Sequence, residues 1–135
     1  MKPIEMTVIH DPENNQYGDC QRACVASLLE LNSEDVPHFY ITNDDMDFFF
    51  SLNDFLSKKG LIHLETMPID FDMAQFVGKA DVYHLIYGPT VRGTHHATVG
   101  LNGEVVHDPH PSKAGLCINQ KEKWTYAFLV PVFGE

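Results

Sequence analysis

Hydrophobic and polar positions divide the chain into a helical first half and a strand-rich second half. From Asp19 or Cys20 to about Leu31 the apolar residues recur at helical spacing. Cys24, Leu28 and Leu31 share a face, with Val25 and Leu29 beside them. Asp19 stands where a side chain caps a helix by accepting a backbone N–H bond from the first turn. Asn32-Ser33-Glu34-Asp35 reads as a capped single turn, stopped before Pro37. A second helix is predicted from about Asp44 to Lys59, capped by Asn43. Asp44, Asp45 and Asp47 sit at its positive end, and Lys58, Lys59 and Gly60 close it. Its apolar set, Met46, Phe48, Phe49, Phe50, Leu52, Phe55 and Leu56, is too broad for one stripe and predicts packing on two sides.

After Gly60 the pattern turns to strands. Leu61 to Pro68, Val82 to Tyr87, His95 to Leu101, Glu104 to Asp108 and Trp124 to Phe133 are the strand segments. Phe71 to Val77 reads as a short helix with Asp70 or Asp72 near its start. Helices followed by a mostly antiparallel sheet define an α+β fold. At 135 residues, 44% of them hydrophobic, the chain forms one domain with enough apolar material for a core.

Charge and cysteine content narrow the function classes. Nine Lys and Arg against 19 Asp and Glu give a formal net charge of -10, which repels phosphate backbones and argues against a nucleic-acid partner. The same balance favours neutral or basic substrates. No stretch approaches the roughly 18 apolar residues of a membrane helix. Met1 to Asn15, with Pro3, Glu5 and His10, lacks the apolar run of a secretory signal. Three cysteines, Cys20, Cys24 and Cys117, are then expected as reduced thiols in a cytoplasm.

One of those thiols sits where chemistry is favoured. A helix N-terminus lowers the pKa of a thiol, and Cys20 opens the first helix after Tyr17-Gly18-Asp19. Its backbone N–H is free of intrahelical bonding and is a donor for an oxyanion, and Gln16 is near enough to add a side-chain amide. Cys24, in the apolar face, and Cys117, between Leu116 and Ile118, read as buried small hydrophobes.

Eight histidines compete to be the base, and His96 has the best context. The strand His95-His96-Ala97-Thr98-Val99-Gly100 is followed by Glu104-Val105-Val106-His107-Asp108, which ends in a carboxylate. A two-residue loop at Asn102-Gly103 sets Asp108 opposite Ala97, on the wrong face. A three-residue loop, Leu101-Asn102-Gly103 with a bulge at the glycine, sets Asp108 directly opposite His96. Asn-Gly suits both loops, and the bulged loop is expected. His95 is expected on the opposite face of the strand, and His107 and His110 around the rim.

These residues carry a resemblance. Gln16-Tyr17-Gly18-Asp19-Cys20-Gln21-Arg22-Ala23-Cys24-Val25-Ala26-Ser27-Leu28-Leu29 resembles the nucleophile helix of papain-like cysteine peptidases, in compact forms similar to bacteriocin-processing double-glycine peptidase domains. His96-Ala97-Thr98-Val99-Gly100 looks like their histidine strand, and Val106-His107-Asp108-Pro109 like the strand that supplies the third residue. Asp35-Val36-Pro37-His38-Phe39 and the run Val106 to Leu116 also look like small papain-like proteins of bacteria and phages. The resemblance implies a papain-like fold with Cys20 as nucleophile, His96 as general base, Asp108 as its orienter and Gln16 as oxyanion donor, and no metal or other cofactor. The family usually has glycine after the cysteine where this chain has Gln21. Its oxyanion glutamine lies nearer Asn14, so Asn14 and Asn15 are alternatives to Gln16.

The expected activity is a thiol hydrolase acting on a peptide, protein or small amide. A transamidase using the same groups, a zinc-binding module built on Cys20 and Cys24, and a non-catalytic binder are the competing classes.

Overall fold

Helix α1 (Cys20–Leu29) starts at the residue the pattern marked and ends two residues short of Leu31. Glu30 turns left-handed, and the Leu31 N–H bonds back to the Ala26 carbonyl at 2.9 Å. The structure, a computed structural model, describes residues 1–42, 44–68 and 80–133. Asp19 holds the N-cap position, but its side chain makes no cap bond. It turns outward from the helix to take the Thr7 and Val8 N–H groups, both at 2.9 Å, and the Thr7 hydroxyl at 2.8 Å. That buried carboxylate ties the N-terminal segment to the start of α1.

A 3-10 turn at Ser33–Asp35 follows, with no side-chain cap from Asn32. Helix α2 (Asp45–Ser57) is capped by Asp44, whose carboxylate accepts from the Met46 and Asp47 N–H groups. The expected cap, Asn43, lies outside the described residues, as does the predicted short helix at 71–77. Leu52 and Leu56 of α2 are fully buried, while Met46 and Phe50 stand exposed among the described residues. The helix therefore packs on one side there, not on two.

Five strands complete the α+β fold: β1 (Leu61–Thr66), β2 (Tyr83–Pro89), β3 (His95–Leu101), β4 (Glu104–His107) and β5 (Thr125–Pro131). They form an antiparallel sheet in the order β1-β5-β2-β3-β4. Helix α1 lies across β3 and β2, and α2 against β1. Val25 and Ala26 of α1 join Leu52, Leu56, Val36 and Phe39 in one core cluster. Cys24 meets Leu85, Ala97, Val99 and Ala127 of the sheet in a second. The other sheet face is covered by Leu116 and Trp124, which pack on Ile86 and Tyr126. Gly88 is needed there, because a Cβ would fall 2.6 Å from the Trp124 ring.

The β3–β4 hairpin corrects the expected loop. Leu101 pairs with Glu104, so the turn has two residues, and Asn102 and Gly103 both take positive φ (50° and 90°) as a type I′ turn demands. The extra residue lies inside the strand instead. Gly100 pairs with Val105 but Val99 pairs with His107, which leaves Val106 as a bulge. Continued one residue, this register sets Asp108 level with Thr98, on the same side of the strand as His96.

Candidate active site

The start of α1 and the start of β3 meet at a pocket of about 290 Å³ lined by Cys20, His96, His95, His110, Arg92, Thr94, Met6, Ile9, His10, Gly18 and Tyr40. Cys20 is half-buried in it. A more open depression of about 440 Å³ lies behind Asp108, lined by Glu5, Val106, His107 and Lys113. It is lined by neither the Cys20 thiol nor His96.

His96 Nε2 donates to Asp108 Oδ1 at 2.7 Å, and both side chains are 5% exposed. Asp108 is held in turn by the loop after β4. The His110 N–H donates to Oδ1 at 2.9 Å and the Gly115 N–H to Oδ2 at 2.8 Å. Burial alone would raise the Asp108 carboxyl, but the hydrogen bonds from His96, His110 and Gly115 outweigh it and hold the group well below the usual carboxylate range. For His96 burial alone would lower the imidazole. Hydrogen bonds to Asp108 and Cys20, with their negative charge, carry it up to about 9. Because Nε2 is bonded to Asp108, the nitrogen that meets Cys20 is Nδ1.

The structure thus brings Cys20, His96 and Asp108 together, and it places Gln16 elsewhere. Gln16 is exposed, is absent from the pocket lining, and donates its side-chain amide to the Ile9 carbonyl at 2.6 Å. Asn14 donates its amide to Asp11 at 2.7 Å. His10 lies in the pocket instead. Its Nδ1 accepts the Gly18 N–H at 3.1 Å, so the neutral ring carries its proton on Nε2. His95, exposed at the start of β3 where His96 is buried, also contributes to the pocket lining. His110 is a lining residue as expected of the rim. His107 is buried, and its Nε2 lies 2.8 Å from the Ile4 carbonyl.

Behind Cys20 a hydrogen-bond chain fastens α1 to the sheet. Gln21 Nε2 donates to the Tyr87 hydroxyl at 2.7 Å, and that oxygen lies 2.8 Å from His63 Nε2. Burial lowers His63 to about 4, so it is neutral above that pH. Cys24 is fully buried, and burial pushes its thiol well up, with the Cys20 and Asp108 charges adding to the effect. It is a core residue. Cys117, expected to be buried, is half-exposed, its N–H bonded to the Pro89 carbonyl at 2.9 Å. Among the described residues no three His, Cys, Asp or Glu side chains group as a metal site. None of the described helices is long and apolar enough to cross a membrane.

His10, Arg92, Met6 and Tyr40 were not singled out from the sequence. Arg92 carried one usable signal, a cation three residues before the His95-His96 pair. For Met6 and Tyr40 there was none, since they reach the pocket only through the tertiary fold. No protein-family model matches the chain, and no curated protein or solved structure matches it.

Proposed function

We propose that this chain is a thiol hydrolase with a papain-like arrangement, cleaving a peptide, isopeptide or other amide bond through an acyl-enzyme. One observation carries the reading. A buried imidazole is fixed on one nitrogen by a carboxylate 2.7 Å away and meets, on the other, a cysteine at a helix start inside an open pocket. The order of elements supports it too: a nucleophile at the start of the first long helix, then an antiparallel sheet that supplies histidine and carboxylate in turn.

In this mechanism His96 Nδ1 takes the proton of the Cys20 thiol, and the sulfur adds to the substrate carbonyl carbon. The oxyanion that forms is met by the Cys20 backbone N–H, unbonded within the first turn, and by the His10 ring, whose Nε2 proton is on offer in the pocket. The carbon–nitrogen bond breaks as His96 returns its proton to the leaving amine, which leaves a thioester. Water, deprotonated by His96, attacks the thioester carbon. The acid is released as the sulfur leaves and regains its proton. Asp108 keeps Nε2–H bonded throughout, so that Nδ1 is the nitrogen that works.

The test is alkylation of Cys20 by iodoacetamide across pH, site by site by mass spectrometry, together with turnover on a panel of amide substrates. Cys20 is expected to react faster than a free thiol near neutral pH and to lose that advantage in His96→Ala. Turnover is expected to fall as pH rises through about 9, where His96 loses the proton the leaving amine needs. A Cys20 that reacts like an ordinary thiol, indifferent to His96, overturns the proposal.

A further inference from the structure

We propose that the pocket beside Cys20 selects amide substrates bearing a carboxylate, with Arg92 as the residue that recognises it. The inference rests on the thiol-hydrolase reading and gives that site its substrate class. In a chain with 19 acidic residues the lining of this pocket includes no Asp or Glu, while Arg92, His10, His95, His96 and His110 all contribute to it. The net charge of -10 pointed toward neutral or basic substrates, but the lining carries the Arg92 guanidinium and no carboxylate, with His95 and His110 held by burial below the usual imidazole range.

Arg92 is held in place without being neutralised. It sits in a short turn between β2 and β3, closed by the Thr90 N–H on the Thr94 carbonyl at 2.9 Å and the Gly93 N–H on the Thr90 carbonyl at 3.0 Å. Its Nη1 donates to Ser112 Oγ at 3.1 Å. That hydroxyl also accepts the Ala114 N–H at 3.2 Å and lies 2.9 Å from His110 Nδ1. Since His110 Nδ1 already accepts the Ser112 N–H at 3.0 Å, the hydroxyl proton points to it and both lone pairs of Ser112 are taken. Ser112 therefore orients the guanidinium and fixes His110 with its proton on Nε2, and brings no negative charge. Among the described residues Arg92 has no ion-pair partner. Its remaining donors form the planar fork that a carboxylate matches bidentately. One guanidinium balances one negative charge, and the acidic chain repels a phosphate dianion about twice as strongly as a monoanion.

Iodoacetate and iodoacetamide attack the same sulfur and differ by one charge, so their rate ratio at Cys20 reads the subsite. In Arg92→Gln the ratio is expected to fall at least about threefold, and any change in the thiolate itself moves both rates alike and cancels in the ratio. Arg92→Lys should keep most of the preference, and added salt should lower the ratio in the wild type while leaving the already low ratio of Arg92→Gln little changed. An unchanged ratio in Arg92→Gln overturns the proposal. Failure of the underlying reading looks different: both reagents are then slow in the wild type and indifferent to His96→Ala. Matched peptides separate the two sources of the carboxylate, one pair differing as free acid or amide at the C-terminus, the other as Glu or Gln beside the cleaved bond. The pair whose acid member loses its advantage in Arg92→Gln identifies the source, and no Arg92-dependent advantage in either pair refutes the assignment.

Discussion

Replacing Asp108 with asparagine removes one charge and almost no volume, so its effect is set by hydrogen bonds and electrostatics and not by packing. The carboxylate accepts three donors, two on Oδ1 and one on Oδ2. An amide oxygen left at Oδ1 still serves His96 and His110, but the NH2 group then faces the Gly115 N–H, donor against donor. Turned round, the NH2 faces His96 Nε2 and forces the ring proton onto Nδ1, the nitrogen that takes the Cys20 proton in the proposed mechanism. Either way His96 loses the Asp108 charge and keeps only Cys20 to raise it. Raised from 6.5 to about 9 in the folded state, protonated His96 contributes stability that is fully present below pH 6.5 and is lost as pH rises through 9. The difference is worth about 3 kcal/mol at 1.36 kcal/mol per pH unit. Urea unfolding of wild type and Asp108→Asn at pH 6 and pH 10 measures it. The gap between the two proteins is expected to narrow by up to about 3 kcal/mol at the higher pH, the part of the shift that Cys20 supplies being common to both. A gap that does not change with pH would refute the view that Asp108 holds a charged His96.

Gln16→Ala is expected to change the acylation rate by less than about twofold, because its amide is bonded to Ile9 outside the pocket, whereas losing an oxyanion donor costs about 10²–10³. Burst kinetics on an activated ester compare the two cases directly. Tyr87→Phe leaves the Gln21 amide and His63 without their shared partner and should cost about 1–3 kcal/mol by denaturant midpoint, with an unchanged m-value. His63 is held near 4 in the fold against 6.5 unfolded, so its stabilising effect is present above pH 6.5 and is lost as pH falls toward 4. His63→Gln should flatten that acid limb by up to about 3 kcal/mol in urea titrations between pH 7 and 4.5. Asp19→Ala strips two N–H groups and a hydroxyl of their acceptor and should lower stability by about 2–4 kcal/mol in the same assay.

What the chain reveals locally and what it hides separate along a physical line. The start of α1 and both ends of β3 were legible because capping positions, apolar spacing and a turn dipeptide act within a few residues. Asp19 shows where local reasoning stops. Its identity suits a cap, but the unpaired Thr7 and Val8 N–H groups, distant in sequence, compete for the same carboxylate and win it. The breadth of the apolar set on α2 likewise gave no measure of how much would be covered, which is decided by neighbours the helix does not encode. His10 and Arg92 join Cys20 in lining one pocket only through the tertiary fold, so no spacing rule could have gathered them.

The hairpin joins the two kinds of information. Strand parity requires one residue more than a plain two-residue loop supplies if Asp108 is to share a side with His96. The sequence states the requirement without saying where the extra residue goes, because Asn-Gly is content in either loop. In the fold the turn takes its tight form and Val106 becomes the bulge, two residues before Asp108. A bulge in the turn would have set Asp108 straight across from His96. A bulge in β4 instead brings it in from the diagonal, where the strand has already ended and the loop N–H groups of His110 and Gly115 can seize both carboxylate oxygens. The offset register therefore does more than restore parity: it frees Asp108 from the ladder at the point where three donors converge on it.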